Sequence, residues 1–549
     1  MYFRYFNSYP SIFRASQSVY LKEILDFIIS SFKIEYIGIF LTTLLLEIIL
    51  LTFHKKDFHR PSNKIIFSSL TFLFLTIFLV GTYTVDKGGI YPAITRVSFN
   101  EVISQKRGEK RKIQMKNEIE SMKEDGLTNP IYKKLMTKNK HQNQYTGIYQ
   151  GKNLLVIQIE GLQNIVLNHK YNGEEITPFL NQLIGKQGRG FYFTNYFQML
   201  GLGNSSDAEF VSIHSIYPNT RGSCYEQYSD LDLYGLPKIC NDKGYYTLGM
   251  HGNTGSFYKR EENYPKVGFK DVKLGEDFTQ DEIILMGLSD KSFFRQSIEY
   301  INHQVPEPYF AFMVTLSSHT PFNIDPKYHE IPILPEDQDT IWGNYINGIR
   351  YLDRSLQYLF EELEERGMLD NTVIAMYGDH HAMSIADPQN IQSMNQYLGR
   401  EYRFDDMMNI PLIIYCKEAE TLEIKDNIGS HLDFLPTILN LMGWTDVSTP
   451  MFGVDLLDEK ESANHIVPEQ TYMLKGSFIT DDWIFEISRD GVFKHSNLWD
   501  RKTGKKLDVS QAKDLSNQVI EEIDFCQSLL DLDMGRELIK LSKITNEEK

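Results

Sequence analysis

The chain has 549 residues, of which 42% are hydrophobic and 23% charged, an ordinary composition for a folded protein with more than one domain. The formal net charge of −17 is unevenly spread, because residues 1–150 carry about +9 and the remainder is strongly acidic. That remainder has neither a basic face nor a known recognition motif, which argues against nucleic acid as a partner. The four cysteines show no CxxC spacing, so a zinc knuckle is not predicted, and a Cys224–Cys240 disulfide stays open.

Two apolar stretches near the N-terminus have the length of membrane-spanning helices. Residues 36–53 (YIGIFLTTLLLEIILLTF) contain one charged residue, Glu47, and residues 65–85 (IIFSSLTFLFLTIFLVGTYTV) contain none. Both are close to the ~20 residues that cross the hydrocarbon core of a bilayer. The loop between them is rich in Lys and Arg, which predicts that it faces the cytoplasm and that everything after residue 85 lies outside. Residues 1–35 are predicted to form an interfacial segment.

The rest of the chain predicts an extracellular α/β domain. Residues 86–150 are polar and are expected to form a helical juxtamembrane linker. From residue 153, short apolar runs alternate with amphipathic segments, which is typical of a mostly parallel central sheet flanked by helices. The catalytic domain is assigned to residues 151–470 and a small C-terminal α+β lobe to residues 471–549. Strands are predicted at 153–159, 245–250, 308–316, 372–377 and 410–415, and helices at 177–186 and 346–366.

Four of the predicted strands run into polar residues suited to a metal or phosphate site. The carboxyl ends of parallel strands share one edge of a sheet, so side chains far apart in sequence can converge there. Each ending alone also fits an ordinary turn with solvated side chains, but four such endings together favour a single site. The residues concerned are Glu160, His251, His319, Asp379 and His380.

The segment GLGNSSDAEF (201–210) supplies a candidate nucleophile. Ser206 and Glu209 match a helix capping box, which would make the serines no more than a helix start. A glycine-flanked loop that enters a helix also presents backbone N–H groups to a phosphate. Ser205 lies one residue ahead of that cap, where a metal ion would lower the pKa of its hydroxyl enough for attack.

From about residue 153 to its end, the chain resembles the lipoteichoic acid synthase family, which comprises sulfatase-fold phosphoglycerol transferases of Gram-positive bacteria in the alkaline-phosphatase superfamily. Several motifs are common to the superfamily, whereas the combination of GxGxxSDxEF, FYxR and SHTPF is narrower. The motifs are QIEGLQ (158–163), GLGNSSDAEF (201–210), LGMHGN (248–253), SFYKR (256–260), TLSSHTPF (315–322), YGDHH (377–381), NIPLII (409–414), HLDFLPTILNLMG (431–443) and FGVDLL (452–457).

The resemblance implies a metal site and a nucleophile. Ser205 would attack the phosphorus of phosphatidylglycerol, release diacylglycerol and pass the glycerophosphoryl group to a hydroxyl of a glycolipid or a growing polyglycerophosphate chain. Hard oxygen ligands with one imidazole suit Mn²⁺, the usual ion of the family, or Mg²⁺. The ligands implied for this one divalent cation are Glu160, Ser205, Asp379 and His380.

The resemblance also implies four substrate-binding residues. Arg260 would grip the phosphate through its planar donor fork, and Tyr258 would pack on the glycerol unit. His251 and His319 would donate to phosphate oxygens or to the leaving oxygen. His431 and Asp433 resemble a structural part of the fold and are not assigned to the site.

Several positions depart from the family pattern. Ser205 replaces the usual Thr, Tyr258 often corresponds to Trp, and His381 stands where Tyr is usual. His381 is predicted to hydrogen-bond the metal ligands rather than to bind a further ion. The family usually has about five spanning helices, whereas two are found here, which leaves open a truncated N-terminus or a reduced member.

Three alternatives to a phosphoglycerol transferase of the cell membrane remain at this point. A phosphoethanolamine transferase shares the fold but usually carries several disulfides. A sulfatase requires a Cys-x-Pro-x-Arg segment, which neither Cys224 nor Cys240 provides. A non-catalytic envelope-binding protein would keep the fold and lose metal ligands, yet all four are present.

Overall fold

The structure is a computed structural model that describes residues 142–219, 222–463, 465–468, 475–488 and 492–531, with the single residues 117 and 533. The two apolar stretches, the interfacial segment and nearly all of the linker lie outside these ranges. Among the described residues, no helix combines the length and apolar character needed to cross a membrane. The described end of the linker packs on the domain, since Gly147 N donates to Asn440 O at 2.8 Å and Tyr149 N donates to Leu441 O at 3.0 Å.

A nine-stranded sheet forms the centre of the described part. The strands of this sheet are β1 (Asn153–Ile159), β4 (Gly190–Phe197), β5 (Tyr246–His251), β6 (Asp271–Lys273), β9 (Tyr309–Val314), β10 (Thr372–Gly378), β11 (Asn409–Cys416), β12 (Leu422–Lys425) and β13 (Gly429–Ser430). Their order is β12–β4–β11–β10–β1–β9–β5–β6, and β13 also pairs with β4. Only β11 among them runs against its neighbours, so the predicted mostly parallel α/β sheet is confirmed.

Helices cover the sheet. In chain order they are α1 (Pro178–Leu183), α2 (Ser205–His214), α3 (Cys224–Gln227), α4 (Leu236–Asp242), α5 (Arg260–Val267), α6 (Asp290–Gln304), α7 (Ile341–Glu365), α8 (Pro388–Leu398), α9 (Phe404–Met408), α10 (Phe434–Leu441), α11 (Glu459–Ser462) and α12 (Lys513–Asp531). The long helix α7 buries Ile349, Leu352, Leu356 and Leu359, the face its sequence period predicts. The Thr340 hydroxyl caps it by accepting from Gly343 N.

Short strands make up smaller sheets. The hairpins are β2 (Lys170–Tyr171) with β3 (Glu174–Glu175), and β7 (Ile283–Ile284) with β8 (Gly287–Leu288). A four-stranded antiparallel sheet follows near the C-terminus, with strands β14 (Val467–Pro468), β15 (Phe478–Ile479), β16 (Trp483–Glu486) and β17 (Asn497–Asp500). The helix α12 follows this sheet in the chain.

The strand β1 shows why the sheet centre reads as a continuous apolar run. All seven of its residues are buried, because it pairs with β10 on one side and with β9 on the other. Its two polar members are both hydrogen-bonded. Asn153 Oδ1 accepts from Tyr309 N at 3.0 Å, and Gln158 Nε2 donates to the carbonyl oxygen of Ser205, the first residue of α2. The predicted bounds of β1 are confirmed, whereas β4 was not predicted.

Candidate active site

Glu160 and Asp379 follow directly on two neighbouring parallel strands. Ile159, the last residue of β1, is paired in register with Gly378, the last residue of β10. Asp379 N then donates to Ile159 O at 3.0 Å, which extends the pairing by one residue. The two carboxylates therefore leave the same edge of the sheet side by side, as the strand endings predict.

His380 completes a buried cluster with these carboxylates. Its Nε2 lies 3.2 Å from Glu160 Oε1 and 3.6 Å from Asp379 Oδ2. One ligand atom from each of the three residues lies within 4.8 Å of the others, and this is the sole such group found among the described residues. The geometry is that of three ligands arranged around one ion.

The hydrogen bonds around the cluster leave the ligand atoms turned inward. His380 Nδ1 donates to the carbonyl oxygen of His381 at 3.0 Å, which directs the lone pair of Nε2 to the carboxylates. Asp379 Oδ1 accepts from Gly161 N at 2.8 Å and from His380 N at 2.7 Å. Asp379 Oδ2 and Glu160 Oε1 are buried and have no hydrogen-bond partner in the described part of the chain. Buried oxygens of this kind require a partner, and a divalent cation fits them.

The electrostatics of the cluster also favour a cation. Burial raises the pKa of Asp379, and the charge of Glu160 raises it further, to about 7. Burial opposes ionisation of Glu160, but the charges of His380 and His319 lower its pKa to about 2. For His380, burial is outweighed by both carboxylates, which raise its pKa to about 10. Without an ion, protons supply the positive charge that these carboxylates require.

Ser205 faces this cluster from the start of α2. Its Oγ donates to Glu160 Oε2 at 3.1 Å and lies 3.4 Å from His380 Nε2. Asn204, the residue before it, has φ 43° and ψ −112°, so the chain turns sharply into the helix. Gln158 Nε2 donates to the carbonyl oxygen of Ser205 at 2.9 Å and ties the helix start to β1.

Asp207 organises the loop that precedes the helix. Its Oδ2 accepts from Gly203 N and its Oδ1 from Cys224 N, both at 2.8 Å. A Cβ at Gly201 or at Gly203 would come within 2.5 Å of an Asp207 carboxylate oxygen, so the close approach requires glycine. The two glycines thus allow the loop backbone to pack closely against the Asp207 carboxylate just before Ser205.

The capping-box interpretation of Ser206 and Glu209 is wrong. The helix begins at Ser205, before the predicted cap at Ser206, and no side-chain hydrogen bond caps it. Ser206 Oγ donates to Gly203 O at 3.0 Å. Glu209 instead accepts from Arg260 and from the Tyr264 hydroxyl, which lies 2.8 Å from its Oε2.

Arg260 is buried, with 1% of its surface exposed, and its charge is paired. Its Nε lies 3.1 Å from Glu209 Oε1, and its Nη2 bonds the same carboxylate oxygen. Nη1 contacts the Phe257 carbonyl oxygen at 3.5 Å. The Tyr258 ring centroid lies 5.5 Å from Arg260 Cζ, which places the two predicted substrate-binding side chains together. One edge of the guanidinium is therefore committed to Glu209, a contact that the sequence did not predict.

The three remaining histidines have defined hydrogen bonds. His251 Nδ1 donates to Val314 O at 3.0 Å, and His319 Nδ1 donates to Thr320 O at 2.7 Å. Burial and the charge of Arg260 lower the pKa of His251 to about 3. The neutral His251 ring thus presents Nε2 as an acceptor, whereas a hydrogen-bond donor was expected. His381 Nδ1 lies 3.2 Å from Gln198 Oε1.

Two further residues hold the site in place. His431 Nδ1 accepts from Met199 N at 3.1 Å, and its Nε2 donates to Gly378 O at 3.0 Å. Asp290 Oδ1 accepts from Leu316 N at 2.7 Å, next to the loop that carries His319. His431 belongs to a motif found in the sequence, but nothing in its spacing showed which backbone groups it joins.

The four cysteines are free. All of them are buried, and Cys224 and Cys240 do not form a disulfide. Cys224 Sγ accepts from Asn219 N at 3.3 Å instead.

A mostly parallel sheet that gathers two carboxylates, an imidazole and a serine hydroxyl at its carboxyl edge, in a cluster that could hold a metal ion, is typical of an alkaline-phosphatase-like fold. A sequence model of the Sulfatase family matches residues 152–444, and the chain belongs to this family. Sulfatase-fold enzymes bind a divalent metal, in agreement with the buried cluster.

Within the family, the predicted resemblance to lipoteichoic acid synthases is confirmed. The chain is 31% identical over 400 residues to lipoteichoic acid synthase 1 of Bacillus subtilis (strain 168), covering 72% of this chain and 60% of that protein. It is 30% identical over 422 residues to lipoteichoic acid synthase of Staphylococcus aureus (strain USA300), covering 75% and 62%. The match thus spans about 60% of the length of these relatives.

A solved structure gives the same result. The crystal structure of the lipoteichoic acid synthase LtaP from Listeria monocytogenes superposes with a TM-score of 0.65 at 27% identity, covering 72% of this chain and 97% of that one. An alkaline-phosphatase-superfamily protein from Vibrio parahaemolyticus has a TM-score of 0.57 at 19% identity, covering 73% and 90%, and supports the fold alone.

Proposed function

We propose that this chain is a membrane-anchored, metal-dependent phosphoglycerol transferase that uses phosphatidylglycerol as donor. The observation that carries the proposal is the position of Ser205 Oγ, 3.1 Å from Glu160 Oε2 and 3.4 Å from His380 Nε2. A hydroxyl held against ligand atoms for a cation is the arrangement that activates a serine for attack on phosphorus. The similarity to proteins named lipoteichoic acid synthase supports this reaction and this substrate class.

In the first half-reaction, Ser205 Oγ would lose its proton to solvent and form a bond to the donor phosphorus, while the bond from phosphorus to the diacylglycerol oxygen breaks and that oxygen takes a proton from His319. The ion, when bound by Glu160, Asp379 and His380, would lower the pKa of the hydroxyl and offset the charge on the phosphate. Glu209 binds Nε and Nη2 of Arg260 and leaves Nη1, which contacts the Phe257 carbonyl oxygen. We therefore assign Nη1 to a phosphate oxygen. A glycerophosphoryl-serine remains on the chain.

In the second half-reaction, an acceptor hydroxyl attacks that phosphorus and Ser205 Oγ leaves. His319 is assigned to exchange protons with the leaving and attacking oxygens through Nε2, because its Nδ1 is held by Thr320 O. His251, neutral and buried, fits a different role from the donor role expected for it: its Nε2 would accept a hydrogen bond from a glycerol hydroxyl. Tyr258 would pack on the same glycerol unit.

We also propose the identity of the divalent ion and a membrane anchor formed by residues 36–85. Two hard carboxylate ligands together with one imidazole suit Mn²⁺, with Mg²⁺ as the alternative. Residues 36–85 would supply two membrane spans, residues 86–150 the linker, and residues 151–470 an extracellular catalytic domain with residues 471–549 as its C-terminal lobe. A glycolipid or a growing polyglycerophosphate chain would be the acceptor.

The proposal is tested with the full-length protein in phosphatidylglycerol vesicles containing Mn²⁺. Wild-type protein should release diacylglycerol and retain labelled glycerophosphate on Ser205 after rapid quenching and peptide mass spectrometry. The Ser205→Ala variant should do neither, whereas Ser206→Ala keeps the nucleophile and should form the adduct. Unchanged diacylglycerol release by Ser205→Ala would refute the assignment.

A further inference from the structure

The helix that carries the nucleophile also carries the carboxylate that pairs with Arg260. Ser205 and Glu209 are four residues apart on α2, which places them on neighbouring turns of one helix face. Both Glu209 and Arg260 are essentially inaccessible, with side chains 0% and 2% exposed. The pair is therefore buried, and Nη1 is the guanidinium nitrogen that Glu209 does not bind.

The pair lies within electrostatic reach of the metal cluster. Glu209 lies one helical turn from Ser205, and Ser205 Oγ is 3.1 Å from Glu160 Oε2, so a single turn of α2 joins the pair to the cluster. The buried setting matters, because charges in a protein interior interact several times more strongly than in water. The formal charges of Glu209 and Arg260 cancel, and those of Glu160 and Asp379 cancel the charge of a divalent ion.

We propose that Glu209 sets the charge preference of the site: by neutralising Arg260 it makes the site accept the single negative charge of a phosphodiester and disfavour the double negative charge of a phosphomonoester. The inference rests on the proposed function, since it concerns the phosphoryl group that Ser205 attacks. Arg260 still offers hydrogen bonds through Nη1, but it brings no net charge once Glu209 is counted.

The hydrogen bonds of Glu209 support a permanent pairing of its carboxylate with the Arg260 guanidinium. Glu209 receives two hydrogen bonds from Arg260 and a third from the Tyr264 hydroxyl at 2.8 Å. Three donors from two side chains hold this carboxylate in position. An arginine that merely needed a structural partner could use backbone carbonyls, as Nη1 does with Phe257.

The test measures equilibrium binding of methyl phosphate and dimethyl phosphate to the full-length, Mn²⁺-loaded protein at pH 8 by calorimetry. At this pH the first probe is a dianion and the second a monoanion. The Glu209→Gln variant should shift the ratio of the two affinities toward methyl phosphate by at least about tenfold. The Tyr264→Phe variant removes a hydrogen bond without changing charge and should leave the ratio within about threefold of wild type.

A double variant covers the case in which Glu209→Gln, with Arg260 left buried and unpaired, does not fold. The Glu209→Gln/Arg260→Gln protein has the same net charge as wild type, so both affinities should fall while their ratio stays within about threefold. Two results would overturn the proposal: equal weakening of both probes by Glu209→Gln, or a tenfold shift of the double variant toward dimethyl phosphate. Neither probe contains glycerol, so failure to turn over phosphatidylglycerol would count against the proposed function alone.

Discussion

Gln158 Nε2 donates a hydrogen bond of 2.9 Å to the carbonyl oxygen of Ser205. Gln158 lies on β1 two residues before Glu160, so the same strand leads into Glu160 and holds the start of α2 beside it. The Tyr377 hydroxyl donates to Gln158 Oε1 at 3.1 Å, which fixes the orientation of the amide. Gln158 thus contributes to the distance between Ser205 and Glu160.

Replacing Gln158 with Met should therefore lower the rate of diacylglycerol release by about tenfold, because the start of α2 loses its tie to β1. The free energy of unfolding should fall by about 1–3 kcal/mol, since the buried Ser205 carbonyl loses a partner. Turnover in vesicles and urea unfolding measure the two effects. Tyr377→Phe removes only the bond that orients the Gln158 amide and keeps the donor to Ser205, so it should cost less activity than Gln158→Met; equal losses in both variants would contradict this role for Gln158.

Removal of the Asp379 charge should abolish stabilisation by the ion. Mn²⁺ should raise the Tm of the wild-type protein above that in EDTA by several degrees, because binding to the folded state alone stabilises it. Asp379→Asn should show the same Tm with Mn²⁺ and with EDTA, as measured by calorimetric scans of both samples.

Asp353 provides the matched control for that experiment. It is as buried as Asp379, but its carboxylate accepts from Phe179 N at 2.9 Å and Leu180 N at 2.8 Å, away from the cluster. Asp353→Asn should lower Tm and keep the increment caused by Mn²⁺. An increment that survives in Asp379→Asn would remove this residue from the ligand set.

The strand ends were predictable because parallel strands place their last residues at one edge whatever the intervening sequence. Glu160 and Asp379 follow from that rule, since Ile159 and Gly378 are register partners. The strand β4 was not predicted. Its run GFYFTNYF is interrupted by Thr and Asn, whereas a strand that lies between two others is usually a continuous apolar run. Its place in the sheet depends on partners more than 200 residues away.

Contacts between distant side chains were out of reach of the sequence. The spacing of Glu209 fits a capping box. In the fold, however, Arg260 and Tyr264 of α5 donate hydrogen bonds to it. The acceptor state of His251 likewise depends on the Val314 carbonyl, which lies on another strand. Local patterns identify residue types suited to chemistry, whereas their protonation and partners are set by the fold.

His431 should prove to be a positioning residue for both halves of the site. It joins the loop at Met199 to Gly378, the residue before the ligand Asp379. We expect His431→Leu to lower turnover by about tenfold and to weaken Mn²⁺ binding, because both backbone segments lose a buried partner. Vesicle turnover and calorimetric Mn²⁺ titration measure these effects.

Tyr196 is the control for His431. Its ring lies 5.7 Å from the His431 ring, and its buried hydroxyl has no hydrogen-bond partner among the described residues. Tyr196→Phe should therefore change neither turnover nor Mn²⁺ affinity. A loss of turnover in His431→Leu with unchanged Mn²⁺ affinity would limit its role to the Met199 loop.

Buried neutral histidines should make the fold sensitive to acid, and His214 at the end of α2 allows a clean test. Burial, together with the charge of Lys238, lowers its pKa to about 3. Between pH 3 and the ordinary histidine pKa near 6.5, the unfolded chain binds a proton that the folded chain does not. The free energy of unfolding therefore falls as pH falls through this window, by up to about 1.4 kcal/mol per pH unit for this one group.

Urea unfolding of the full-length protein at several values between pH 4 and 6 measures the slope. His214→Leu should reduce that slope by about 1 kcal/mol per pH unit, whatever its effect on stability at pH 8. An unchanged slope in His214→Leu would mean that this ring takes up its proton in the folded protein as it does in the unfolded chain.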